Sequence, residues 1–386
     1  MQKFLGFLIF WGAILWAGSC KSQYLTGAEC TEAYFPLLKQ YRNVGVAAHA
    51  ASRVGQRHLI DTLLKAGIRV SAIFAPEHGF RGEAEAGEHV KEGKDPATGL
   101  PIYSLYGKNK KPLPSQMHGL EAMVVDFQDV GVRFYTYIST LHYIMEACAE
   151  QQIPLYVLDR PNPNGDYVDG PVLDKQFCSF VGMHPIPVVY GMTIGELALM
   201  INGEGWLKGA RKCDLKVIPL DKYTHNSHVQ LPVKPSPNLP NRQSIRLYPS
   251  LCFFEATTIS VGRGTPWPFQ VVGAPDPRYG DFTFIPESIP GVAAHPPHEG
   301  QICYGLDLRD DSINTQFTLH FLQEFLKHTG NKHDFFSNPV FFDKLAGNSL
   351  LRLQLLQGMS EEEIRKSWEP ELQNFKEKRK HYLIYP

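Results

Sequence analysis

Four short apolar runs, each leading into a polar loop, constrain this chain more than any other feature of its sequence. Residues 43–49, 70–75, 122–127 and 154–158 are dominated by Val, Ala, Ile, Leu and Met, with little apolar–polar alternation. A strand that is apolar on both faces belongs inside a parallel sheet covered from both sides. Helical spacing recurs between these runs. Residues 56–66 carry Leu59, Ile60, Leu63 and Leu64 on one stripe and stop at Gly67. Residues 139–151 carry Leu141, Ile144, Met145 and Cys148, and residues 193–202 open on a Thr193/Glu196 capping box. The alternation describes βαβ units, and these predict a doubly wound α/β domain over residues 30–220.

Beyond residue 220 the pattern changes. Residues 231–239 are rich in proline, 259–268 in Gly, Arg, Thr and Pro, and 270–297 read as mixed strand and loop. Helical periodicity returns at 312–328 and at 360–379. The latter has a Ser360/Glu363 capping box, with Ile364, Trp368, Leu372 and Phe375 on one face. Residues 221–386 therefore read as a smaller α/β (α+β) domain, and a length of 386 residues suits two domains.

The first twenty residues form a separate unit. Lys3 precedes an apolar stretch, residues 4–17, that is short for a membrane span and fits the core of a signal peptide. Ala17, Gly18 and Ser19 lead into Cys20 as in a bacterial lipoprotein signal, although a larger aliphatic residue is usual where Ala17 stands. The expectation is an exported protein lipidated at Cys20, periplasmic or anchored in the outer membrane of a Gram-negative bacterium. A plain secretory signal with an incidental Cys is the alternative. Six further cysteines are widely spaced, which permits disulfides without requiring them.

A formal net charge of −1, with no basic run, points away from nucleic acid and from direct contact with an anionic membrane. Gly262-Arg263-Gly264 lacks both phosphate-binding glycine patterns, no Gly-x-Ser-x-Gly elbow occurs, and His295 and His298 have no metal-ligand context. No cofactor and no metal are expected.

Ligands of open α/β sheets bind beyond the carboxyl ends of the strands. The four runs end there in polar loops: His49 with Ser52 and Arg53; Pro76-Glu77-His78-Gly79-Phe80-Arg81; Asp126 through Asp129 and Arg133 to Tyr135; and Asp159-Arg160-Pro161-Asn162. Glu77 can be a partly desolvated general acid or a carboxylate paired to Arg81. Asp126 and Asp129 can supply a second glycosidase carboxylate or structural ion pairs, and Asp159, Arg160 and Asn162 carry the same ambiguity.

These loops resemble a known family. The segments are Phe74-Ala75-Pro76-Glu77-His78-Gly79-Phe80-Arg81-Gly82, Asp126 through Tyr137, Leu158-Asp159-Arg160-Pro161-Asn162-Pro163, Ser260-Val261-Gly262-Arg263-Gly264-Thr265, and Leu345-Ala346-Gly347 with Trp368. Together they are similar to the bacterial exo-β-N-acetylmuramidases, formerly a domain of unknown function, from about residue 40 to the end. The resemblance implies a Rossmann-like domain plus a smaller α/β domain with the active site in the cleft between them. It also implies release of N-acetylmuramic acid from the non-reducing ends of peptidoglycan-derived glycans, with Glu77 as the catalytic acid. The substrate's lactyl carboxylate asks for a cation, and Arg81, Arg133, Arg160 and Arg263 are the candidates. Asp126 or Asp129 would attack directly or orient the 2-acetamido group, and retention of configuration is favoured. His49, Ser52, His78, Tyr135, Asp159 and Asn162 complete the expected site. Two rivals remain: a non-catalytic lipoprotein that binds cell-wall glycan, and a metal-dependent peptidoglycan amidase or esterase.

Overall fold

The computed structural model describes residues 24–77, 79–80 and 93–386. Six parallel strands form the main sheet: β1 (Val44–Ala48), β2 (Val70–Ala75), β3 (Pro101–Ser104), β4 (Ala122–Asp126), β5 (Leu155–Leu158) and β6 (Leu215–Ile218). Their order across the sheet is β3-β2-β1-β4-β5-β6, and a two-residue antiparallel strand at Gly93–Lys94 extends the β3 edge. The chain winds outward from β1 to one edge, then returns to the other side of β1 at β4, so the strand order reverses between β1 and β4.

Side chains alternate across each strand, and the two faces of the sheet bury different sets. Val44, Val46, Val70, Ile73, Ala122, Val124 and Tyr156 pack with Leu59, Ile60 and Leu63 of helix α1 (Leu59–Lys65). On the opposite face Ala47, Phe74, Met123, Val125, Leu155 and Val157 pack with helices α2 (Tyr137–Gln151) and α3 (Ile194–Gly203). Apolar runs without alternation arise because both faces of the strands are enclosed.

The four central strands lie where their sequences indicate, to within a residue at each end, and both outer parallel strands lie outside the expected elements. Pro101 opens β3 and Lys216 interrupts β6, so neither is a continuous apolar run. Helix α1 begins at Leu59, three residues later than the expected span of 56–66, because Arg53–Val54 and Arg57–His58 first pair as a small hairpin. The helix expected over 312–328 spans only His320–His328 (α5, counting Arg242–Leu251 as α4). Upstream of it, Asp310 Oδ1 accepts the Ser312 N–H at 2.8 Å and Asn314 Oδ1 accepts the Gln316 N–H at 3.0 Å. Such side-chain-to-backbone bonds offer the chain turns in place of helix.

The second segment contains a three-stranded antiparallel sheet of β7 (Val271–Ala274), β8 (Phe282–Phe284) and β9 (Cys303–Asp307), in the order β7-β9-β8. Helices α5, α6 (Pro339–Ala346) and α7 (Glu361–Arg379) accompany it. Its core is not separate. Phe253, Phe254, Phe325, Phe342 and Trp368 belong to the same buried cluster as α2 and one face of the main sheet. The chain end also returns to the first sheet: the Tyr385 hydroxyl donates to Asp159 Oδ2 at 2.7 Å and accepts the Leu220 N–H at 2.9 Å. The six described cysteines are all free thiols.

Arg133 joins the parts. It is fully buried, and its guanidinium donates to four backbone carbonyls: Pro171 (2.7 Å), Ile186 (2.8 Å), Leu345 (2.8 Å) and Ala346 (2.8 Å). The last two are the free carbonyl end of α6, where a cation is also favoured by the helix dipole. Arg133→Met keeps the apolar stem and leaves four buried carbonyls unsatisfied. We expect it to lower unfolding stability by about 3–5 kcal/mol, the scale for stranding a buried charged partner's neighbours. Urea unfolding measures this, and a loss below about 1 kcal/mol would show that the carbonyls find other donors.

Candidate active site

The carboxyl ends of β1, β2, β4 and β5 lie side by side along one edge of the sheet. Glu77 follows β2 and Pro76 there, and it is half-buried. Its Oε2 accepts the Thr136 hydroxyl at 2.7 Å, and its backbone carbonyl accepts the Tyr137 hydroxyl at 3.2 Å. Tyr106 also hydrogen-bonds the Glu77 carboxylate. Burial first, then that carboxylate, hold the Tyr106 phenol well above its ordinary range. Hydroxyl partners can donate to a carboxylate or accept from a carboxylic acid, so Glu77 keeps its neighbours in both protonation states.

His49 fixes this loop from beneath. Its Nε2 accepts the Gln128 N–H at 2.9 Å, which leaves the ring proton on Nδ1, 3.2 Å from the Tyr137 hydroxyl. The order His49–Tyr137–Glu77 carbonyl thus runs from β1 through the start of α2 to the β2 loop. Gln128 in turn donates to the carbonyls of Asp129 (2.9 Å) and Pro161 (2.8 Å), tying the β4 and β5 loops together.

Several residues expected to meet substrate are instead enclosed. Asp126 is fully buried, and Arg160 grips it through Nε (2.6 Å) and Nη2 (2.8 Å). Both carboxylate oxygens are engaged, so Asp126 is not the second catalytic group, and Arg160 is not free for a lactyl carboxylate. Ser52 is also buried, donating to the Asp126 carbonyl at 2.5 Å and accepting the His49 N–H at 2.9 Å. Arg133 is committed to its four carbonyls, so it too leaves the list of lactyl-binding candidates; the physical reason is the same need to satisfy a buried charge. Asp159 takes Arg160 N–H, Gly195 N–H, Thr193 hydroxyl and Tyr385 hydroxyl on its two oxygens. Burial nonetheless pushes its carboxyl up to about 7. Asn162 donates to the Met192 carbonyl at 2.8 Å and accepts the Asn164 N–H at 2.8 Å. A side chain on Gly131 would come within 2.0 Å of Asn162 Oδ1, and Gly131 has φ +76°, so only glycine fits there. Tyr135 is buried and donates to the Pro235 carbonyl at 2.7 Å.

Asp129 differs from these. Its Oδ2 accepts the Gly131 N–H at 2.6 Å and the Tyr190 hydroxyl, while Oδ1 is buried with no partner among the described residues. Burial raises its carboxyl to about 6 against the lowering effect of those donors. It lies beneath the site, close enough to Tyr137 to act on it electrostatically. Arg263 stands in the second segment and pairs through Nε with Glu255 Oε1 at 2.6 Å. His78, Arg81 and Cys20 lie outside the described residues. Sequence reasoning assigned no role to Thr136 or Tyr137, although both sit in a loop it singled out. Tyr106 follows an edge strand that carried no apolar signal, so nothing in the sequence marked it.

Residues 44–243 match the N-terminal part, and residues 246–385 the C-terminal part, of the family described as exo-β-N-acetylmuramidase NamZ. The chain belongs to the exo-β-N-acetylmuramidase family. The peptidoglycan β-N-acetylmuramidase NamZ of Bacillus subtilis (strain 168) is 42% identical over 338 residues, covering 82% of this chain and 80% of its own. Crystal structures of two DUF1343 family proteins from Bacteroides fragilis superpose with TM-scores of 0.85 and 0.81, at 44% and 28% identity. Each covers 94% of this chain and 99% of its own. In this member of the family two of the segments that carried the resemblance touch: Arg133 holds the carbonyls of Leu345 and Ala346.

The environment of Asp129 has a measurable consequence. Its carboxyl is raised to about 6 from an ordinary 3.8, so the folded state holds a proton there that the unfolded state releases. Stability from this group is fully present below pH 4 and is lost as pH rises through about 6. Asp129→Asn removes that slope. Relative to wild type it should gain on the order of 2–3 kcal/mol between pH 4 and pH 8, at 1.36 kcal/mol per unit. Paired urea titrations at the two pH values check this; a constant difference would mean that Asp129 is ionised throughout.

Proposed function

We infer that this protein is an exo-acting β-N-acetylmuramidase, a glycoside hydrolase that removes N-acetylmuramic acid from the non-reducing ends of peptidoglycan fragments. Family membership over nearly the whole described chain supports the reaction class. One observation carries the assignment of the acid: of the three expected carboxylates, Glu77 alone is not buried at the open end of the sheet, held by Thr136 and Tyr106.

Glu77 donates its proton to the leaving-group oxygen as the glycosidic bond breaks, and the hydroxyls of Thr136 and Tyr106 hold the carboxyl in place. With Asp126 locked by Arg160, the 2-acetamido oxygen of the substrate takes the nucleophile's part, giving retention. His78 and Arg81, beside Glu77 in sequence, stay candidate contacts for the sugar. The first segment is read as Rossmann-like, supported by its β3-β2-β1-β4-β5-β6 order. Residues 30–220 and 221–386 serve as its two domains, with the sugar in the cleft between them. A signal over residues 1–20, with lipidation at Cys20, would deliver the enzyme to the envelope where its substrate lies.

Glu77→Gln should lower turnover of a muramic acid glycoside by about 10²–10⁴-fold while leaving thermal unfolding near that of wild type. Near-normal turnover on both a chromogenic glycoside and a natural disaccharide would remove Glu77 from the role. Proton NMR of the first-formed sugar should show the β anomer; an α anomer would rule out retention.

A further inference from the structure

We propose that Arg263 reads the lactyl carboxylate of the substrate, the group that distinguishes N-acetylmuramic acid from N-acetylglucosamine. The proposal rests on the glycosidase reading above and adds its specificity determinant.

Arg263 has the geometry of a prepared carboxylate receptor. Its Nε donates to Glu255 Oε1 at 2.6 Å, and Cys252 Sγ stands 3.4 Å from the other Glu255 oxygen. The guanidinium carbon lies 5.2 Å from the centroid of the Phe269 ring. Glu255 and the ring therefore fix the orientation of the guanidinium plane while using one edge of it. Nη1 and Nη2 have no acceptor among the described residues and retain some solvent contact, since neither is among the buried polar atoms left without a partner. Arg263 lines an open cavity of about 400 Å³ together with Glu255, Val292, Ala294, His295 and Pro296. That volume falls within the range of small-molecule sites, roughly 300–1,000 Å³. The free Nη1/Nη2 pair matches a carboxylate through two parallel N–H···O bonds. Glu255 occupies a different edge, so it orients the receptor without blocking it.

A layer of buried aromatic rings links the cavity wall to the Glu77 loop. Tyr137, which holds the Glu77 carbonyl, packs on Tyr135 with ring centroids 4.8 Å apart. Tyr135 meets Tyr248 at 6.3 Å, and Tyr248 meets Phe269 at 4.9 Å, the ring beneath Arg263. A second strap runs alongside. The Tyr135 hydroxyl holds the Pro235 carbonyl, and three residues later Asn238 Nδ2 holds the carbonyl of Val292, in the cavity wall, at 2.9 Å. One end of this layer carries the acid and the other carries the guanidinium with its Nη edge unengaged. The other described arginines once expected to play this part are engaged: Arg133 by four carbonyls, Arg160 by Asp126.

The test uses three chromogenic β-glycosides, of N-acetylmuramic acid, of its lactyl methyl ester and of N-acetylglucosamine. Wild type, Arg263→Ala and Arg263→Lys are compared on each by kcat/KM. Wild type should lose about ten- to a hundredfold on going from free acid to ester, the scale of hydrogen bonds to a charged group. Arg263→Ala should close that gap and lower the ratio of muramic to glucosaminide activity by a similar factor. Arg263→Lys keeps the charge without the fork and should fall between. Should Arg263→Ala fail to fold, the wild-type comparison of acid with ester and the lysine variant still decide. Equal use of acid and ester by wild type would overturn the proposal, as would a gap that survives in Arg263→Ala. Hydrolysis of the free-acid glycoside that is lost in Glu77→Gln would in those cases leave the glycosidase reading standing. Failure of wild type to cleave any of the three would take both down.

Discussion

Arg133 lies wholly inside the protein with its guanidinium spread over four carbonyls and, among the described residues, no carboxylate paired to it. A buried charge without a counter-ion is costly unless hydrogen bonds replace its water. Here the oriented carbonyls do so, two of them at the end of α6. Burial lowers the guanidinium only to about 9, so it stays charged at neutral pH. The carbonyls come from residues 171, 186 and 345–346, stretches that meet nowhere else in sequence. Its own backbone N–H bonds the Val188 carbonyl at 2.8 Å, so loop and side chain are both pinned. The loop after β4, the extended stretch before α3 and the second segment therefore share one anchor, and the start of α2 with Thr136 and Tyr137 follows three residues behind it.

The polar residues at the strand ends divide into a framework and an open face. Asp126 with Arg160, Asp159 with its four donors, and Asn162 with Asn164 satisfy one another and the loop backbone. Removing one member of the Asp126–Arg160 pair would leave an uncompensated buried charge, at about 3–5 kcal/mol. That cost explains why so many charged residues can stand at a ligand-binding edge without touching ligand. Glu77 rides above this framework on hydroxyl partners, which tolerate either protonation state. A rigid base beneath a partly exposed acid is the arrangement proton transfer needs.

The sheet was legible because its central strands are apolar on both faces, a pattern few other structures generate. Pro101 and Lys216 concealed the two outer parallel strands, which are less enclosed than the central ones, so the apolar demand on them is weaker. Helices with capping boxes, at Thr193 and Ser360, were placed to the residue at their starts. Asp310 and Asn314 broke the expected start of α5 by local bonds that periodicity does not register. At the site the sequence located the four loops but could not sort their members. Aspartate beside arginine reads alike whether the pair is buried, as Asp126 and Arg160 are, or facing a sugar. Only burial and partner geometry separate Arg133 from Arg263, and both depend on residues more than a hundred positions away or on a folded cavity wall. Tyr106 reaches Glu77 through an element with no signature of its own.

The central claim is that the open end of this sheet removes a terminal N-acetylmuramic acid. Peptide-free peptidoglycan oligosaccharides, capped by that sugar and labelled at the reducing end, test it most directly when products are followed over time by mass spectrometry. The account predicts free N-acetylmuramic acid as the first product, with the remaining glycan shortened by one residue and then stalled on its new N-acetylglucosamine end. Internal fragments appearing before the monosaccharide, or release of peptide or acetate instead of sugar from substrates that carry them, would contradict it.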